Sequence, residues 1–210
     1  ITVYEMGEHV SYANCGLPYY LSDVIADRNS LLLQTPTSLH NRFNLAVRVH
    51  TVVTRINRDD KTVNVTNLQT GEEYVDHYDK LIISTGAKPR KLPIPGINRA
   101  MTLRNVTDAD AVKAMVERSG KGPAVILGAG FIGIELAENL AHIGVPTTIV
   151  QRGSSILSLF DTEMIQPLQE RLERHGVQVL LNSQAASITP DSVELEDGTV
   201  LPADVVLTAA

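Results

Sequence analysis

The chain has 210 residues, 43% of them hydrophobic, and a net charge of −6. That length accommodates one large or two small globular domains and the composition excludes a disordered chain. The negative charge gives no general attraction to nucleic acid or to an anionic membrane, and no apolar run approaches the ~20 residues of a membrane span.

Residues 1–5 read as a strand that ends in an acid, Glu5. Residues 18–28 and 36–42 read as short helices, the second with Pro36 in its first turn. Two strands rich in β-branched residues follow at 47–56 and 61–67. After a turn at Thr70-Gly71, residues 72–77 pair back. Residues 78–86 read as a buried strand running into Gly86. Three prolines in 88–96 mark the clearest linker. Residues 108–117 read as a helix.

Ala124-Val125-Ile126-Leu127 is an apolar strand, followed at once by Gly128-Ala129-Gly130-Phe131-Ile132-Gly133. Ile132, Leu136, Leu140 and Ile143 then fall on one helical face, and Gly144 stops the helix. A strand at 146–150, a helix at 162–175 and a strand at 177–181 complete a β-α-β-α-β order. This order predicts an α/β fold with a parallel sheet covered on both faces. Residues 192–201 read as a hairpin turning at Asp197-Gly198, and 203–210 as a buried-type strand. The chain opens in mid-strand without a secretory leader and closes on a strand with nothing after it. Both ends therefore read as cuts through a longer protein.

The glycine stretch carries the most explicit chemistry. G-x-G-x-x-G after a strand, opening an amphipathic helix inside a βαβ unit, is a dinucleotide-binding pattern. Gly128 permits the tight turn, Gly130 lets backbone approach a pyrophosphate, and Gly133 lets helix pack on strand. The helix start, with Phe131 and Ile132, offers free N–H groups to the phosphates. A ribose-binding acid is expected at the end of the next strand, but Gln151-Arg152 stands there. Without the acid a 2′-phosphate is not repelled, and a guanidinium can bind it bidentately. NADPH is the expected cofactor, with NADH also accepted; the other reading makes Arg152 a solvated loop charge.

Cys15 is the only cysteine in the chain. It is a buried inert thiol, a catalytic thiol, or half of a bond to another molecule. Its neighbours in Ser11-Tyr12-Ala13-Asn14-Cys15-Gly16-Leu17-Pro18-Tyr19-Tyr20 favour an exposed turn or helix start beside a pocket. A lone free thiol also fits a reducing cytoplasm. The six histidines show no metal-ligand spacing, so no metal is expected.

Ser-x-x-Asn-Cys-Gly-Leu-Pro-Tyr resembles the active-site stretch of coenzyme A disulfide reductases, single-cysteine members of the flavin-dependent pyridine nucleotide-disulfide oxidoreductase family. The match rests on Ser11, Asn14, Cys15, Gly16, Pro18 and Tyr19. With the later glycine motif, in family order, the resemblance covers essentially the whole chain. It implies two Rossmann-like three-layer domains. Residues 1–100 would be an incomplete FAD-binding domain carrying the redox cysteine, and 101–210 an NAD(P)-binding domain. The first flavin glycine motif would precede Ile1, and the dimerisation domain would follow Ala210.

The resemblance places Glu5 at the FAD ribose, the backbone near Val53 at the adenine, and Thr85-Gly86 beside the flavin. It places Phe131 as a gating aromatic and Glu135 as an acid near the nicotinamide. Read without it, Phe131 is core and Glu135 a solvated helix charge. The implied activity is FAD- and NAD(P)H-dependent reduction of coenzyme A disulfide or related small disulfides and persulfides. Cys15 would form a mixed disulfide with coenzyme A, with Asn14 and Ser11 positioning substrate or thiolate and Arg42 a candidate for a coenzyme A phosphate. A homodimer is implied for the parent protein. One alternative is an NADH oxidase or peroxidase in which Cys15 cycles through a sulfenic acid. The other is a nucleotide-binding piece without catalysis.

Overall fold

The computed structural model describes residues 1–209. They form two compact units: Ile1–Ala13 with Asn29–Ala87, and Asn14–Arg28 with the chain from Lys88 onward. The segment that carries Cys15 therefore belongs to the second unit. The last residue of the expected final strand, Ala210, lies outside the described residues.

The second unit is built on a four-stranded sheet in the order Val177–Leu180, Thr147–Val150, Ala124–Leu127, Val205–Thr208, with every pairing parallel. Ala124–Leu127 and Val205–Thr208 are buried at every position. Parallel strands covered on both faces call for such continuous apolar runs. Val125, Leu127, Val150 and Val206 pack with Ala185, Ile188, Val193, Leu195 and Leu201 of a three-stranded antiparallel sheet. The alternate residues, Ile126, Ile149 and Leu207, face the opposite side and are 0% exposed. Each contributes about 2 kcal/mol by burial. The helix Phe131–His142 packs against Ala124–Leu127 and Thr147–Val150, and the helix Thr162–Arg174 against Val177–Leu180. Helices, parallel sheet and antiparallel sheet form the three layers of an α/β fold.

The Cys15 segment is tied into this unit from two sides. The helix Leu17–Leu21 packs on both Val106–Arg118 and Phe131–His142, burying Leu17, Tyr20 and Leu21. Arg28 grips Asp110 through Nε and Nη2, and the Tyr20 hydroxyl donates to the same carboxylate at 3.2 Å. Lys113 donates to the Tyr20 carbonyl at 3.1 Å, pairs with Asp23, and lies 4.5 Å from the Tyr20 ring centre. The expected 18–28 helix is much shorter because Ser22 ends it and Asp23 takes a left-handed φ of 60°.

In the first unit, Thr2–Tyr4 pairs in parallel with Ala46–Arg48, and Ser11–Tyr12 pairs with Leu32–Gln34. Thr51–Asn57, Thr62–Asn67 and Glu73–His77 form an antiparallel sheet. The expected strand at 47–56 is two strands, because His50 turns the chain with a φ of 50°. The helix Pro36–Phe43 begins at a capping box in which Thr35 and Ser38 satisfy one another's backbone N–H groups.

Residues 78–86 correct the expectation of a buried strand. Ile82 is 87% exposed and Ile83 64%. Among the described residues no strand runs beside them. An apolar run becomes a strand only where a neighbour accepts its backbone hydrogen bonds. Three strands were not expected at all: Ser11–Tyr12, Leu32–Gln34 and Ala185–Ile188, the last paired with Ser192–Leu195 through an irregular register.

Candidate functional site

The glycine turn sits at the carboxyl end of Ala124–Leu127, between that strand and the helix Phe131–His142. Gly128 has a φ of 111°, which no other residue adopts without strain, and its N–H donates to the Val150 carbonyl at 2.9 Å. A Cβ on Gly133 would lie 2.1 Å from the Gly128 carbonyl oxygen, so only glycine lets the helix start this close to the strand. Gly130 differs from both. Its backbone is extended, and the nearest atom to an added Cβ is the Ala209 carbonyl oxygen at 3.9 Å. The space beside Gly130 is open, as the approach of a pyrophosphate requires, and the residues present fit a dinucleotide there.

A cavity of about 130 Å³ adjoins the turn, lined by Ala129, Gly130, Phe131, Gln151 and the loop from Leu157 to Phe160. Phe131 is 57% exposed and meets Phe160 edge to face, with ring centres 5.9 Å apart. Neither Phe131 nor Ile132 is core, so the expected apolar face of this helix begins only after its first turn. The glutamate next along the helix, Glu135, is half-buried. Its carboxyl is raised above the ordinary value by that burial and by the charge of Glu138.

Gln151 lies at the expected second-strand end, but both ends of its amide are engaged. Oε1 accepts from the Ala129 N–H at 3.2 Å, and Nε2 donates to the Ser155 carbonyl at 3.2 Å. Arg152 is exposed. Sequence reading had no signal for the Gln151 contacts or for Phe160, because both depend on how the 151–160 loop folds back.

Cys15 lies in the single turn Asn14–Gly16 that runs into Leu17–Leu21. Its thiol is exposed, as is Asn14, and Cys15 does not line the cavity at the glycine turn.

In the first unit, Glu5 follows directly on Thr2–Tyr4. Its Oε1 accepts the Gly7 N–H at 2.6 Å and its carbonyl accepts the Thr51 N–H at 2.9 Å. Val53 sits in the neighbouring strand Thr51–Asn57, where the pairing register shifts. The structure thus joins Glu5 to the start of that strand through the Thr51 N–H. Thr85 and Gly86 lie in the exposed stretch after residue 80, which forms no strand. Ser11 is half-buried in the pairing with Gln34. Arg42 is exposed near the end of Pro36–Phe43, its guanidinium 5.0 Å from the Phe43 ring centre. A second, open cavity of about 490 Å³ is lined by Arg48, Val49, Thr51, Asn67, Glu72 and Tyr74. No helix among the described residues is long and apolar enough to cross a membrane.

A parallel sheet with a glycine turn at its carboxyl end, opening into a helix, defines a dinucleotide-binding protein. The whole chain, residues 1–210, matches the pyridine nucleotide-disulphide oxidoreductases, and it belongs to that family. A coenzyme A disulfide reductase of Staphylococcus aureus (strain bovine RF122 / ET3-1) is 31% identical over 207 residues, 99% of this chain and 47% of that protein. The chain spans about half the length of the curated relatives it matches. Reduced CoADR-RHD of Bacillus anthracis is 39% identical with a TM-score of 0.95, covering 100% of this chain and 38% of that one. A NAD-dependent persulfide reductase from A. fulgidus is 33% identical with a TM-score of 0.94, covering 100% and 41%.

Proposed function

We propose that the protein is an FAD- and NAD(P)H-dependent reductase of coenzyme A disulfide or related small disulfides and persulfides, with Cys15 as its redox thiol. The observation that carries this reading is the exposed Cys15 turn, anchored by a buried helix to the same unit as the glycine turn. Family membership and the two reductase relatives support it.

In this reading residues 1–100 supply the flavin half and 101–210 the nicotinamide half, although the Cys15 segment packs with the latter. Glu5 and the backbone at Val53 would hold the FAD adenosine, and Thr85 and Gly86 would meet the flavin. Gly128, Gly130, Ile132 and Gly133 would hold the NAD(P)H pyrophosphate, with Phe131 and Glu135 toward its nicotinamide end. When bound, the two cofactors supply a hydride and relay its electron pair. The Cys15 thiolate attacks one sulfur of the substrate RSSR, making a Cys15–S–SR bond and releasing RS⁻. Two electrons and one proton then break that bond, returning the Cys15 thiolate and RSH. Asn14 and Ser11 orient the disulfide, and Arg42 takes a coenzyme A phosphate. The full protein works as a cytoplasmic homodimer.

The test is Cys15→Ser in the full-length protein, assayed with coenzyme A disulfide and separately with oxygen and peroxide. Disulfide turnover should fall by several orders of magnitude while nucleotide binding stays. Turnover within tenfold of the parent refutes the assignment. Faster consumption of oxygen or peroxide than of disulfide replaces it with the sulfenic acid cycle.

A further inference from the structure

The loop from Gln151 to Phe160 forms one wall of the cavity at the glycine turn. Backbone bonds tie it down, among them the Asn182 N–H donating to the Gly153 carbonyl at 3.0 Å. The Leu157 N–H donates to the Ala129 carbonyl at 2.9 Å, and the Phe160 N–H to the Leu157 carbonyl at 3.0 Å. Ile156 is 0% exposed and pins the middle of the loop. Leu157 has a left-handed φ of 42°, a conformation that leucine keeps only where its surroundings hold it.

The Gln151 amide joins the two sides. Ala129 of the turn gives it an N–H, and Ser155 of the loop takes one from it. A Cβ on Gly153 would lie 3.1 Å from the amide nitrogen, so the loop backbone closes tightly around the side chain. The main chain of Gln151 is fixed as well, its N–H donating to Leu180 at 2.8 Å and its carbonyl accepting from Ser183 at 3.0 Å. A carboxylate of the same shape could accept from Ala129 but has no proton for Ser155.

We propose that Gln151 is a positioning residue, clamping the 151–160 loop onto the glycine turn so that the nucleotide cavity is built before the ligand arrives, and leaving Arg152 to read the ribose 2′ position. The inference rests on the reading of the glycine turn as a nucleotide site. It assigns Gln151 a task different from the ribose contact its place in sequence suggests.

Two variants and two readouts test it: Gln151→Leu and the near-isosteric Gln151→Glu, with amide hydrogen exchange of the free chain by NMR, and titration calorimetry with NADPH and with NADH. Gln151→Leu should speed exchange at the Ala129 and Leu157 amides and weaken both nucleotides alike by about tenfold, the worth of one net hydrogen bond. Gln151→Glu should keep the Ala129 amide protected and loosen only the loop. Unchanged exchange at Leu157 in both variants overturns the clamp. A loss confined to one nucleotide also overturns it, since Gln151 would then read the ribose directly. If the parent chain binds neither nucleotide, the nucleotide reading of the turn fails, and the exchange rates still decide the clamp.

Discussion

Ser22 donates its hydroxyl proton to the Asn139 side-chain oxygen at 2.5 Å, and both residues are almost wholly buried, at 4% and 3% exposure. Ser22 ends the helix that follows Cys15, and Asn139 lies in the helix that begins at the glycine turn. The Asn139 amide nitrogen donates in turn to the Glu135 carbonyl at 2.8 Å. One buried hydrogen bond thus fixes the cysteine segment against the nucleotide helix, 117 positions away in sequence.

Ser22→Ala strands the Asn139 oxygen in a buried site and should cost about 1–3 kcal/mol of stability. Asn139→Leu removes that acceptor, and the Ser22 hydroxyl can turn its one proton to the Tyr19 carbonyl, 3.2 Å away. The double variant should therefore lose clearly less than the two single losses added together. Urea denaturation of all four proteins measures the coupling, and strict additivity would rule out the bond as a shared contribution.

A second pair sets a pH dependence. The Tyr4 hydroxyl donates to Asp76, and this bond holds the Asp76 carboxyl below its ordinary value of 3.8. A depressed carboxyl contributes stability above its unfolded-state value, and that stability is lost as pH falls through the folded-state value. The Tyr4 phenol is raised, first by its burial and then by Asp76, so its share is present below about pH 10 and is lost above it. Tyr4→Phe and Asp76→Asn should each flatten the acid limb of the thermal midpoint below pH ~4. An acid limb identical to the parent's would show that the pair carries no linkage.

The glycine turn, the strand before it and the helix after it were legible because their signals are local: an apolar run, a glycine spacing, a helical period ending at Gly144. The elements that failed were those decided by distant partners. Ile82 and Ile83 have strand-like chemistry but no neighbouring strand among the described residues. Ala185–Ile188 is a strand only because Ser192–Leu195 folds back on it. The 18–28 helix stops early where Ser22 turns toward Asn139. At the site, the type of residue at Gln151 was visible, but its bonds to Ala129 and Ser155 belong to a loop whose path no periodicity encodes.

Arg152 is exposed at the start of the 151–160 loop and carries the only charge in the Gln151-Arg152 pair. Arg152→Ala should weaken NADPH relative to NADH by about 1–3 kcal/mol, the worth of a charge-assisted contact to a phosphate. Calorimetric titration of both nucleotides measures the difference. Equal losses for the two would mean that the guanidinium does not meet a 2′-phosphate.

The two later glycines of the turn should separate folding from binding. At Gly133 an added methyl would sit 2.1 Å from the Gly128 carbonyl oxygen, and the Gly128 N–H is itself tied to the Val150 carbonyl at 2.9 Å. Gly133→Ala must push helix and strand apart, at a cost of about 3 kcal/mol, and nucleotide binding should go with it. At Gly130 the backbone is extended with a φ of −78°, which alanine adopts freely, and the nearest atom is 3.9 Å away. Gly130→Ala should therefore unfold at the parent's midpoint, within about 0.5 kcal/mol. Its methyl occupies the open space where a pyrophosphate would approach, so NADPH and NADH should both weaken at least tenfold. The decisive comparison is Gly130→Ala in denaturation and titration side by side. A stable variant that binds both nucleotides as tightly as the parent would show that the phosphates pass elsewhere than over Gly130.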